Sequence, residues 1–189
     1  MFDIITRFSH ARILVADDSV FDRRLILTAL KKLGFSRIDT ADDGVEALQK
    51  THDLRPDLVL LDLRMPNLDG FGYCEAVRND SELPRMPIIV QTALGDRASR
   101  LRALACGADD YLTKPLDMDE LSLRICVQIE RYFMMRDLED MCGYLKMEVE
   151  QCRNMRQHVH QTELPAHCRR FFDNHYEVLE QLAHLPTVL

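Results

Sequence analysis

The sequence predicts an α/β fold, a doubly wound five-stranded parallel sheet with a C-terminal helical extension. Three observations predict it. Short apolar runs of strand length alternate with amphipathic segments over the first 115 residues, the pattern of β-α-β units joined by right-handed crossovers. Four of those runs end in polar residues, as expected where strand carboxyl ends line a ligand site. After Pro115 the pattern changes, and from about Asp117 to Gln161 there is no proline and one glycine, Gly143.

The elements follow in order. Arg12-Ile13-Leu14-Val15-Ala16 is a compact apolar run suited to a buried parallel strand. A helix is expected from about Val20 to Leu33, with Phe21, Leu25, Leu27 and Leu30 as its inward stripe and Gly34 as its stop. Ser36 to Thr40 reads as a weaker strand, and Asp43-Gly44 opens a second helix through Val45, Ala47 and Leu48. Leu58-Val59-Leu60-Leu61, led in by Pro56-Asp57, is the strongest buried strand. Asn67-Leu68-Asp69-Gly70 starts a helix running to about Asn79. Pro84 and Pro87 bracket a loop before the strand Ile88-Ile89-Val90-Gln91. Arg97 to Ala105 is helical and closes at Gly107, and Asp109 to Leu112 is a short fifth strand.

Residues 1–10 are a lead-in, 11–122 the α/β domain and 117–161 a long helix continuing it. Pro165 breaks that helix, leaving 165–189 for a short C-terminal helix. In the long helix a seam recurs in steps of four and three, apolar except at Gln128: Leu121, Ile125, Gln128, Tyr132, Met135, then Leu138, Cys142, Leu145, Val149, Cys152 and Val159. The short step from Met135 to Leu138 resembles a stammer in a heptad repeat. Left uncovered, this seam is a large apolar stripe, so a homodimer through residues 121–159 is expected.

Composition narrows the class. With 189 residues, 47% hydrophobic and 29% charged, the chain is globular. A formal charge of −7 argues against a general nucleic-acid binder, and residues 119–189 show no helix-turn-helix ending in a basic recognition helix. No direct nucleic-acid binding is expected. The six cysteines stand singly, without CxxC pairs, which favours a reducing cytoplasm. The first ten residues lack a signal-peptide pattern, and no apolar run approaches the roughly 20 residues of a membrane span. The tail histidines, His158, His160, His167, His175 and His184, fit no zinc spacing and read as solvated side chains.

The polar residues closing the runs are Asp17 and Asp18, Asp62, Gln91 and Thr92, and Tyr111, with Lys114 just beyond. Gathered at one sheet edge, three carboxylates would ligate Mg²⁺, a hard cation that prefers oxygen. Asp62 is the natural nucleophile of the set, since aspartyl phosphates are established covalent intermediates. Lys114 supplies a point charge for phosphoryl oxygens and Thr92 a hydroxyl donor. Strand-end carboxylates also cap following helices, and Asp18 or Ser19 serves that purpose as well.

Val15-Ala16-Asp17-Asp18-Ser19, Leu61-Asp62-Leu63-Arg64-Met65-Pro66-Asn67-Leu68-Asp69-Gly70, Thr92-Ala93, Gly107-Ala108-Asp109-Asp110-Tyr111 and Thr113-Lys114-Pro115-Leu116 occur in that order. Through them the chain resembles the receiver domain of two-component response regulators over about residues 11 to 122. The resemblance implies a flavodoxin-like fold and a cytoplasmic phosphorylation switch. Asp62 would take phosphate from a histidine kinase or phosphotransfer protein. Asp18, Asp62 and the Arg64 backbone carbonyl would hold Mg²⁺ directly, and Asp17 largely through water. Thr92 would be the switch hydroxyl, Tyr111 the aromatic that swings with it and Lys114 the phosphoryl partner, with Lys114-Pro115 a candidate cis peptide. The expected output is dimerisation or binding of an unknown protein partner through the long helix. The alternative is a regulatory fragment of a larger regulator whose output is a cyclic-dinucleotide cyclase, a phosphodiesterase or a phosphatase. No catalytic motif for such an output lies in residues 119–189, so the chain itself reads as a phosphoacceptor rather than an enzyme.

Overall fold

A computed structural model describes residues 7–93, 97–161 and Arg170. The chain divides into two compact units, Met1–Phe133 and Met134–Leu189. The first holds a five-stranded parallel sheet. Its elements are β1 (Arg12–Ala16), α1 (Val20–Lys32), β2 (Arg37–Ala41), α2 (Gly44–Leu54), β3 (Leu58–Asp62), α3 (Gly70–Asn79), β4 (Ile88–Ala93), α4 (Arg97–Ala105), β5 (Asp110–Lys114) and the start of α5 (Met118–Gln161). The strand order is β2-β1-β3-β4-β5, so the winding reverses at β1. That reversal lies between β1 and β3, and such sheets take ligands outside the carboxyl ends of the strands flanking it.

Alternation along the strands divides the core into two layers. Leu14, Val59, Leu61, Ile88 and Val90 face α2, α3 and α4 through Ala47, Phe71, Tyr73, Cys74, Val77 and Ala103. Ile13, Val15, Leu58, Leu60, Ile89 and Leu112 face α1 and α5 through Ile26, Leu30, Leu121, Ile125 and Ile129. Every residue of β3 is buried, and each leucine or valine there contributes about 1.5–3 kcal/mol of transfer free energy. Phe8, in the lead-in, is buried in the second layer and stacks on Phe133 at 5.0 Å.

Helix ends are set by local chemistry. Ser19 caps α1 by accepting from the Asp22 amide, and Asp43 and Asp69 cap α2 and α3 in the same way. Gly34, at φ +92°, closes α1 with paired bonds from Gly34 and Phe35 back to Lys31 and Leu30. Asp117 caps α5 by accepting from Asp119 and Glu120. The inward stripe of α1 agrees with the expected one at Leu30, which is buried, but Ile26 is buried in place of Phe21, which is 77% exposed, and of Leu25, which also faces solvent. Ile26 and Leu30, four residues apart, share one face of this helix, and that is the face packed on the sheet.

The seam expected to build a homodimer is corrected over its first part. Leu121, Ile125, Gln128 and Tyr132 are buried within the first unit, so they cover the chain's own core rather than a partner. A four-and-three repeat records that a helix face is covered; it does not say by what. In the second unit Val149 is buried, Cys142, Leu145 and Cys152 are half-buried, and Leu138, Met141, Tyr144 and Met147 are exposed. No helix of the described residues is long and apolar enough to cross a membrane. The helix expected at 165–189 lies outside the described residues, Arg170 excepted, and with it His167, His175 and His184; His158 and His160 fall within α5.

Candidate functional site

The turn after β1 and the end of β3 bring Asp17, Asp18 and Asp62 together. One carboxylate oxygen of each lies within 4.8 Å of the others. Asp17 is fully buried, Asp62 nearly so, and Asp18 is exposed. The Asp17 carboxylate accepts from the Ser19 amide at 2.8 Å, and the Arg23 guanidinium donates to the Asp17 carbonyl while pairing with Asp42 at 2.7 Å. These bonds fix the β1–α1 turn. Behind Asp62 the chain is held by Gly70, whose missing side chain is required: a Cβ there would lie 2.6 Å from the Asp62 carbonyl oxygen.

Lys114 ends β5 and reaches over the sheet edge. Its ammonium donates to Asp17 at 2.9 Å and to Asp22 at 3.1 Å, and it pairs with Asp62 at 3.3 Å. The peptide bond to Pro115 is cis. Burial works against the Lys114 charge, but the hydrogen bond to Asp17 and the charges of Asp62 and Asp17 outweigh it and hold its pKa above the usual value. For Asp62 burial wins. Loss of solvation pushes its carboxyl up to about 6; Lys114 opposes the rise, and Asp17 and Asp18 add to it.

Thr92 on β4 is buried, and Tyr111 on β5 is half-buried against the α2–α4 layer. Both lie, by alternation, on the opposite sheet face from Leu112 and Lys114. The Arg124 guanidinium of α5 sits 5.6 Å from the Tyr111 ring and forms ion pairs with Asp110 and Glu120, which joins Tyr111 to the first turns of α5. Arg64, two residues past Asp62, is exposed. The structure therefore clusters Asp17, Asp18, Asp62 and Lys114, and sets Thr92 and Tyr111 on the adjoining strands.

One polar residue at this edge, Asp22, is absent from the sequence expectations, and a second, Gln91, is named there only as closing a strand run. Asp22 joins the Lys114 cluster, though its position three residues after Ser19 marks only an acid in a helix's first turn. Gln91, level with Asp62 in the sheet register, is fully buried, and neither its amide oxygen nor its nitrogen has a hydrogen-bond partner.

The response regulator receiver domain family matches residues 13–126. The chain belongs to that family. The receiver has relatives among transcriptional regulators. The probable transcriptional regulator ycf27 of Guillardia theta is 44% identical over 120 residues, which cover 64% of this chain and 46% of that protein. The DNA-binding dual master transcriptional regulator RpaA of Synechocystis sp. is 36% identical over 120 residues, 64% of this chain and 49% of that protein. Among solved structures, the chemotaxis protein CheY4 of Vibrio cholerae superimposes with a TM-score of 0.59 at 31% identity, covering 63% of this chain and 98% of that one. The chain spans about half the length of the curated relatives it matches.

Those names correct one expectation. Direct nucleic-acid binding was not expected from the charge of −7, yet RpaA is DNA-binding by name and ycf27 is a transcriptional regulator. Net charge sums over a whole chain and is silent on how charge is distributed over its surface.

Proposed function

We propose that this receiver is a phosphorylation switch of a two-component system in which Asp62 accepts the phosphoryl group and the output is control of transcription. The observation that carries the reading is the Lys114 ammonium held between Asp17 and Asp62 at the edge of the sheet. Phosphoryl transfer asks a protein mainly for positioning and for cations around developing negative charge, and this edge offers both. In the transfer, an Asp62 carboxylate oxygen forms a bond to phosphorus as the bond from phosphorus to the donor's histidine nitrogen breaks, and the imidazole leaves with its electron pair and takes up a proton. Lys114 then pairs with phosphoryl oxygens. The Thr92 hydroxyl turns toward them, and Tyr111 follows into the space vacated.

The carboxylate trio fits Mg²⁺: all its donors are hard oxygens close enough to share one ion, and exposed Asp18 leaves room for retained waters. Asp18, Asp62 and the Arg64 carbonyl would hold the ion directly and Asp17 through water. Bound there, it would neutralise charge that otherwise opposes arrival of a phosphoryl group. The donor is a histidine kinase or phosphotransfer protein. Arg124 links Tyr111 to α5, which supports that helix as the element re-aimed by the switch. The names of ycf27 and RpaA support transcription, with DNA contact, as the output over a nucleotide cyclase or phosphatase.

Amide NMR with Mg²⁺ and the phosphoryl mimic beryllofluoride tests the reading. Saturable shifts at Thr92, Tyr111 and the first turns of α5, absent from Asp62→Asn, are expected. Equal shifts in the variant would refute it.

A further inference from the structure

Ser19-Val20-Phe21-Asp22 has the form of a capping box, in which the acid returns to the backbone N–H of the capping serine. Only half of the box is built here. Ser19 Oγ accepts from the Asp22 amide at 3.2 Å, but the Ser19 amide donates to the Asp17 carboxylate. The Asp22 carboxylate is thereby released from capping, and it accepts from Lys114 Nζ at 3.1 Å.

Lys114 is thus shared among three carboxylates. An ammonium has three N–H donors. Those of Lys114 make hydrogen bonds to Asp17 and Asp22, and the contact with Asp62, at 3.3 Å, is the longest of the three. Asp17 and Asp62 belong to the metal-spaced trio, and Asp22 does not. Its charge is therefore offered to Lys114 rather than to an ion held by the trio.

We propose that Asp22 is a positioning residue that competes with the phosphoryl group for Lys114 and so limits how tightly the receiver holds that group. The inference rests on Asp62 being the acceptor. A phosphoryl group on Asp62 brings further anionic oxygens to a lysine already hydrogen-bonded to Asp22. The Asp22 anion also stands within about 6 Å of Asp62 through the shared ammonium, close enough to repel the group directly. Both effects act against the phosphorylated form. With the Asp22 side chain 30% exposed, solvent weakens the repulsion without abolishing it.

The test is the affinity for beryllofluoride, read by fluorine NMR in Mg²⁺, for the native chain, Asp22→Asn, Asp22→Glu and Asp62→Asn. Asp22→Asn keeps the size and an acceptor oxygen but loses the charge. It is expected to bind the mimic about threefold to thirtyfold more tightly, the range one partly screened charge at this distance gives. Asp22→Glu, which restores the anion, is expected to return toward the native affinity, and the gain in Asp22→Asn is expected to shrink as salt is raised. Thermal melts establish that each variant is folded. If folded Asp22→Asn binds the mimic no more tightly than the native chain, the competition is refuted while the acceptor reading stands. If the native chain binds it no better than Asp62→Asn, both fall.

Discussion

Asp62 shows how burial sets chemistry at one residue. Its carboxyl, pushed up to about 6 by loss of solvation, is favoured in its protonated form by the fold. An acid with a raised folded-state pKa stabilises fully below its unfolded value, 3.8 here, and loses that contribution as pH rises through about 6. Without divalent cation, Asp62→Asn should therefore gain on the native chain between pH 4 and pH 7. The gain should be about 1–2 kcal/mol once screening of this partly solvated group is allowed for. Urea denaturation at several pH values measures it, and Mg²⁺ at pH 7 should narrow the gap by stabilising the native chain alone. A difference independent of pH would show that Asp62 carries no strain of burial. The three carboxylates were legible because they follow apolar runs, and Lys114 because it stands just past the last of them. Asp22 was not, because an acid in a helix's first turn is ordinary cap chemistry until Asp17 is seen to occupy the Ser19 amide.

Among the elements, β4 carries a cost that β3 does not. The buried Gln91 amide lacks partners on both of its polar atoms, and an unsatisfied buried group costs about 1–3 kcal/mol. Gln91→Leu, close in volume and apolar, should raise the stability of the receiver by a comparable amount in the same denaturation experiment. A loss of stability would mean that the amide is satisfied in solution, by water for example. The element order was readable most plainly at β3, since a parallel strand buried on both faces is a continuous apolar run whichever helix covers it. What covers a helix was not. On α1 Phe21, Leu25 and Ile26 are all apolar, and only the sheet decides that Ile26 joins Leu30 in the core. On α5 the repeat from Leu121 to Tyr132 was assigned to a second chain when it closes the chain's own core.

For the whole molecule, the first unit and its site follow from local pattern, whereas the output does not. Two features of the sequence, a net charge of −7 and a long helix, pointed toward a protein partner, and the transcriptional relatives point to DNA. Neither feature records which surface a phosphorylated receiver presents, because that depends on a two-state element rather than on composition. The account as a whole stands on Asp62 being the single acceptor. The most direct measurement is intact-mass spectrometry of the native chain and Asp62→Asn after incubation with a small phosphoryl donor such as phosphoramidate, with Mg²⁺ and with chelator. The account predicts one added phosphoryl group on the native chain in Mg²⁺, lost on chelation and absent from Asp62→Asn. The same added mass on Asp62→Asn, or none on the folded native chain with Mg²⁺ present, would contradict it.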